Sequence, residues 1–256
     1  MRFRIIPVLL LKNGGLYKGV KFKDHKYVGD PINAVKIFNE KEVDELVFLD
    51  IDATNNNRPP NLGFLKDIAS ECFMPLAYGG GINSVDMIRE ILKAGLEKVI
   101  INSATVKNPQ FVADAVKYFG SSTIVASIDV KKNFLGKPQV YINSGQEKTN
   151  LNHVEWAKKL ESLGVGEIII NSINQDGTLN GYDFELIKQV ASVVSVPVIA
   201  AGGGRGLEDF ANICLKGGAS AASAGATFVF HGKHRAVLIT YPSEKEVYAF
   251  IDELDS

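Results

Sequence analysis

The chain has 256 residues, 46% hydrophobic and 22% charged, with a formal net charge of −1. That length supports a large buried core. The mixed charge gives no reason to expect a nucleic-acid groove or an anionic membrane surface. No apolar run reaches the ~18–20 residues that span a bilayer.

Strand-like and helix-like segments alternate in chain order. The opening stretch MRFRIIPVLLLKNGG, with two arginines near the start, faintly imitates a signal peptide. Its apolar part is short and no small-residue cleavage site follows, so it reads as a first strand and the protein as cytoplasmic. Predicted strands cover 4–11, 45–51, 75–78, 98–101, 123–130, 167–171, 197–200 and 219–223. They are rich in Val, Ile and Leu with little polar alternation, as parallel strands buried on both faces require. Helical periodicity covers 31–40, 62–71, 84–94, 108–118, 151–163, 182–193, 206–216 and 243–253. Asn83 precedes one helix and Gly95 follows it; Ser243 and Glu246 fit a capping box before the last. Eight alternating pairs predict a (β/α)8 TIM barrel, read as one domain over 1–256.

An internal repeat supports two half-barrels. YGGGI at 78–82 recurs as AGGGR at 201–205, 123 residues later, and INSAT at 101–105 recurs as SAGAT at 223–227. The pieces 12–30, 131–150 and 171–181 read as irregular loops on the C-terminal face, where barrels place their chemistry.

Gly79 to Gly81 and Gly202 to Gly204 each end a strand. Backbone N–H groups there attract phosphate, and the repeat predicts two phosphate cups on opposite sides of one mouth. Asp129, Asp50, Asp52, Asn102, Asn171 and Asp176 stand at or just past strand ends; a carboxylate there can take or give a proton. Asp50 also reads as a structural acceptor. Arg4, Glu45, Lys98 and Glu167 each precede a buried run, as an ion-pair ring or as solvated strand ends. Cys72 and Cys214 read as reduced, largely buried thiols. His25, His153, His231 and His234 show no metal spacing; HGKH at 231–234 reads as surface, and no metal site or cofactor is expected. Trp156 and the phenylalanines read as packing residues. No nucleophile elbow is present.

DELVFLDI at 44–51, GGGI at 79–82, EKVIIN at 97–102, SIDVK at 127–131, GEIIINSINQDGTLNGYD at 166–183 and GGG at 202–204 carry a resemblance over about residues 3–230. The chain resembles the HisF family, the cyclase subunit of imidazole glycerol phosphate synthase. The resemblance implies a barrel that receives ammonia from a HisH-like glutaminase on its N-terminal face. It passes the ammonia along the axis to a phosphorylated small molecule. It makes Arg4, Glu45, Lys98 and Glu167 an ammonia gate and Asp129 catalytic. It places Lys18, Gly81, Asn102, Ser103, Asn171, Asp176, Gly177, Gly203, Gly204, Gly225 and Ala226 around the ligand and its phosphates.

The departure is Leu10, where the family carries a second catalytic aspartate. Asn13 and Gly15 also replace an acidic and a basic residue, and Asn171 and Ala201 replace small hydroxyl residues. The chain therefore looks most like a HisF-like branch that feeds ammonia to a third protein amidinating a nucleotide-linked sugar for surface glycans. The tail 231–243 resembles that branch too. The other reading is the histidine-pathway cyclase, with Asp52 replacing the missing carboxylate.

Overall fold

The computed structural model describes residues 3–232 and 236–255. Lys233, His234 and Arg235 of the tail stretch lie outside the described residues.

Eight parallel strands close on themselves. They are β1 (Arg4–Lys12), β2 (Leu46–Asp50), β3 (Leu76–Gly79), β4 (Lys98–Ile101), β5 (Ile124–Lys132), β6 (Glu167–Ser172), β7 (Val198–Ala201) and β8 (Ala221–Ala224). Each pairs with its neighbours, β8 pairs with β1, and β5 pairs with β6, so the sheet has no free edge. The main helices are α1 (Pro31–Glu40), α2 (Leu62–Ser70), α3 (Val85–Lys93), α4 (Pro109–Phe119), α5 (His153–Ser162), α6 (Phe184–Ala191), α7 (Leu207–Leu215) and α8 (Glu244–Asp255), with short helical turns at Ser103–Lys107 and Ala226–Val229. The alternation read from the sequence is therefore a (β/α)8 barrel.

Local chemistry sets the helix starts. Asp30, Asn61, Asn108, Asn152 and Asp183 each accept a backbone N–H of the following first turn. Ser84, rather than Asn83, caps α3, because its hydroxyl reaches the Met87 N–H at 3.2 Å. Ser243 and Glu246 form the expected reciprocal box. The core has two shells. Outward strand residues such as Ile5, Leu9, Phe48 and Tyr78 pack against the helices. Ile6, Val47, Ala77, Ile100, Val125, Ile169, Ile199 and Ala221, one from each strand, fill the barrel interior.

Three expectations change. Strand limits shift by one or two residues, with β1 and β5 running on to Lys12 and Lys132. The segments read as irregular are partly hairpins: Gly15–Val20 and Lys23–Gly29 extend β1, and Pro138–Ile142 pairs antiparallel with β5. None of these strands carries the apolar run that betrays a barrel strand, and Lys23–Gly29 is mostly polar and exposed. Phe73 (88% exposed) and Phe134 (94%) are not packing residues. Cys72 and Cys214 are free thiols of intermediate burial, in keeping with the largely buried thiols expected.

Candidate ligand site at the barrel mouth

Period-two alternation aims Arg4, Ile6, Val8, Leu10 and Lys12 of β1 into the barrel, while Leu9 and Leu11 face the helices. The inward residues line a cavity of about 690 Å³ that opens at the C-terminal mouth and reaches down to Glu45. Leu10 lies in its wall, beside Leu49 of β2.

Asp129 stands on β5, four strands from β1 and so across the cavity. Asn102 Nδ2 donates to its Oδ2 at 3.1 Å. Burial lifts its pKa to about 7; Asp176 adds to the rise and the Asn171 and Asn102 amides oppose it. The Asn171 Oδ1 is buried without a hydrogen-bond partner. Lys18, on the first hairpin, is buried and donates from Nζ to the Val8 carbonyl. Burial pushes its pKa down to about 8, and Asp176 pulls it back up. Burial likewise raises Asp176, against the pull of Lys18 and the Phe22 N–H.

The two glycine turns face the same cavity. Gly81 and, from the next loop, Asn102 and Ser103 lie on one side. Gly203, Gly204, Gly225 and Ala226 lie on the other, with Gly177 beside them in the lining. β3 and β7 are four strands apart in a ring of eight, so the turns oppose each other. The Gly81 N–H already has a partner at 3.3 Å, the Thr54 hydroxyl. Gly203 has a φ of +107°, and a Cβ there would stand 2.1 Å from the Gly181 carbonyl oxygen, so only glycine fits.

The hairpins roof the mouth. The Lys21 N–H donates to the Asp176 carbonyl at 2.9 Å. Ser144, in the turn after Ile142, donates to the Ile51 carbonyl at 2.8 Å. Phe22 of the first hairpin reaches the backbone of Gly145.

At the opposite end, Arg4 bridges Glu45 (2.7 Å) and Glu167 (2.6 Å), and Lys98 bridges the same two carboxylates (2.9 and 3.2 Å). The four charges thus close into an alternating ring rather than solvated strand ends. Burial pulls the Arg4 pKa down, but Glu167 and Glu45 outweigh it and the net shift is upward.

Asp50 accepts from Arg58 Nη2 (2.9 Å) and from the Ala53 N–H (3.1 Å), which makes it a loop clamp. Burial raises its pKa and Arg58 opposes that. The sequence reading passed over Lys12, Arg58 and His25, which also line the mouth. Arg58 follows a run of asparagines and His25 sits among lysines, so no spacing singles them out. Asp52 lies at the rim, 3.7 Å from Lys12 Nζ.

The fold and this mouth define a (β/α)8 barrel built to work at the C-terminal ends of its strands. More narrowly, the chain belongs to the histidine biosynthesis protein family, which matches residues 4–235, and to its HisF group. It is 50% identical to a Pseudomonas aeruginosa protein provisionally named imidazole glycerol phosphate synthase subunit hisF2, over 94% of this chain and 96% of that one. It is 45% identical to the imidazole glycerol phosphate synthase subunit HisF of Natranaerobius thermophilus, over 95% of this chain and 97% of the relative. It is 43% identical to that of Alkaliphilus metalliredigens, over 89% and 90%. Among the described residues no helix is long and apolar enough to cross a membrane.

Proposed function

We propose that this chain, acting as one barrel domain, is the HisF-type synthase subunit of a glutamine amidotransferase. A HisH-like glutaminase docks on the N-terminal face and releases ammonia. The ammonia passes the ring of Arg4, Glu45, Lys98 and Glu167 and follows the apolar axis to the mouth. There a phosphorylated ligand spans the Gly81 and Gly203 turns, with Lys18 and Asp176 beside it and Asp129 as the proton-handling group. The relatives' names, subunits of imidazole glycerol phosphate synthase, support this frame.

One observation carries the finer reading: Leu10 shares the inward face of β1 with Ile6 and Val8, in the wall opposite Asp129. Cyclisation needs an acid and a base on two sides of the ligand. A hydrocarbon on one side leaves a single partner, a loss of ~10²–10⁴-fold in rate. We therefore assign the nitrogen to another acceptor: a third protein that amidinates a nucleotide-linked sugar of a surface glycan.

The test supplies the purified chain with an ammonium salt and the cyclase's phosphoribulosyl bisphosphate substrate. No detectable imidazole glycerol phosphate is expected. Turnover at the rate of an ordinary cyclase overturns the assignment. It would favour the histidine-pathway reading instead, for which the names of the relatives and Asp52 at the rim both speak.

A further inference from the structure

Leu10 makes the inner wall of the cavity apolar on the β1 and β2 side, together with Val8 and Leu49. One layer further out the same wall changes character. Lys12, two residues beyond Leu10, points into the mouth, and its Nζ lies 3.7 Å from Asp52 Oδ2. Asp52 is placed by the Ile51 N–H, which donates to the Leu11 carbonyl at 3.1 Å, and by its own N–H, which donates to Asp50 Oδ1 at 3.3 Å. His25 reaches the same rim from the returning strand of the first hairpin. Its ring lies against Gly19, where a Cβ would stand 2.9 Å from Cδ2, so glycine lets the imidazole settle there. At ~3.3 Å per residue Lys12 stands about 6–7 Å further out along the strand than position 10.

The trio offers complementary hydrogen-bonding groups. Lys12 only donates, Asp52 only accepts, and a neutral imidazole does one of each. Burial and Lys12 lower the His25 pKa, while Asp52 and Asp24 oppose that, so the net shift favours the neutral ring. Adjacent hydroxyls on a carbon chain need this mixture of donors and acceptors. The wall also stands midway between the two glycine turns, where the centre of a ligand anchored at either turn would lie.

We infer that Lys12, His25 and Asp52 form a recognition site for the hydroxyl-bearing, sugar-like part of the phosphorylated ligand, one layer above Leu10. The inference rests on the proposed ligand site at the mouth and adds the residues that select the ligand. In it the β1–β2 wall handles specificity at the rim.

Titration calorimetry with two probes, inorganic phosphate and ribulose 5-phosphate, tests it. The wild-type chain should prefer the sugar phosphate by about tenfold or more. His25→Leu and Asp52→Thr should each cut that preference by roughly three- to tenfold, the worth of one or two hydrogen bonds. Their phosphate affinity should stay unchanged. His25→Gln, which keeps a donor and an acceptor, should retain most of the preference, and thermal melts confirm that the variants fold. If the wild type shows no preference, or it survives in both variants, the recognition site is wrong while the phosphate reading stands. If the wild type binds neither probe nor the phosphoribulosyl bisphosphate, the ligand site itself fails, and this inference with it.

Discussion

Position 10 and position 129 face each other across one cavity, and their chemistry is unequal. Asp129 is buried and its pKa is raised to about 7, first by burial and then by Asp176. A carboxylic acid near ~3.9 in the unfolded chain and near 7 in the fold binds more protons when folded. Its contribution to stability therefore falls as pH rises from about 4 to about 7 and stays low above that. Replacing Asp129 by Asn should raise unfolding stability at pH 8 by about 1–4 kcal/mol and leave it nearly unchanged at pH 4, as urea titrations at both values will read. That gain accompanies the loss of any proton transfer the residue performs. Leu10→Asp should give measurable ammonium-driven imidazole formation where the parent gives none, provided the glycine turns hold the bisphosphate. An inactive Leu10→Asp chain that still binds the bisphosphate would shift attention to Asn13, Gly15 and Asn171.

The elements that carry the site were unequally legible. Barrel strands announced themselves because both faces are buried and the residues are Val, Ile and Leu. Helical periodicity marked the helix starts to within a residue or two; of the two caps read from the sequence, Ser243 held, and the choice between Asn83 and Ser84 needed the hydroxyl's actual reach. The hairpin segments did not announce themselves. Lys23–Gly29 is mostly exposed or half-exposed, so its strand character comes from pairing with Gly15–Val20 and not from an apolar pattern. The glycine triplets were legible as turns that open backbone N–H groups. That Gly203 is irreplaceable follows from the Gly181 carbonyl, 22 residues away in the chain. Gly203→Ala should cost about 1–3 kcal/mol of stability from the left-handed φ alone, with more from the displaced loop. Phosphate affinity should fall with it, measured by denaturant titration and calorimetry on the same sample.

On the scale of the whole barrel, the ring at the N-terminal end and the mouth share one axis, with eight apolar side chains between them. Removing one buried partner of an ion pair costs ~3–5 kcal/mol when it strands the other. Arg4 remains bonded to both Glu45 and Glu167 if Lys98 is lost, so neither carboxylate is stranded. Lys98→Met should therefore fold, with a stability loss nearer 1–2 kcal/mol by the same reasoning. In the reconstituted complex it should uncouple glutamine hydrolysis from product by about tenfold or more, the scale of a ~1.4 kcal/mol change at the passage. Activity on added ammonium should change much less. Equal losses with both nitrogen sources would remove the ring from the nitrogen route and leave it a structural clamp.

The sequence alone determined the alternation of strands and helices, the closed barrel and the doubled glycine turns, because burial on both faces of a strand and capping at a helix start are local demands on residue type. The resemblance to the HisF family, carried by sequence motifs, singled out Leu10 as a departure from the family's second aspartate. Only the tertiary structure decided that four charges from β1, β4, β6 and the residue before β2 meet as a ring. It alone put Lys12, His25 and Asp52 on one rim and folded the hairpins over the mouth. Those arrangements depend on which distant backbones approach each other, and closing the sheet fixes that geometry where spacing along the chain does not.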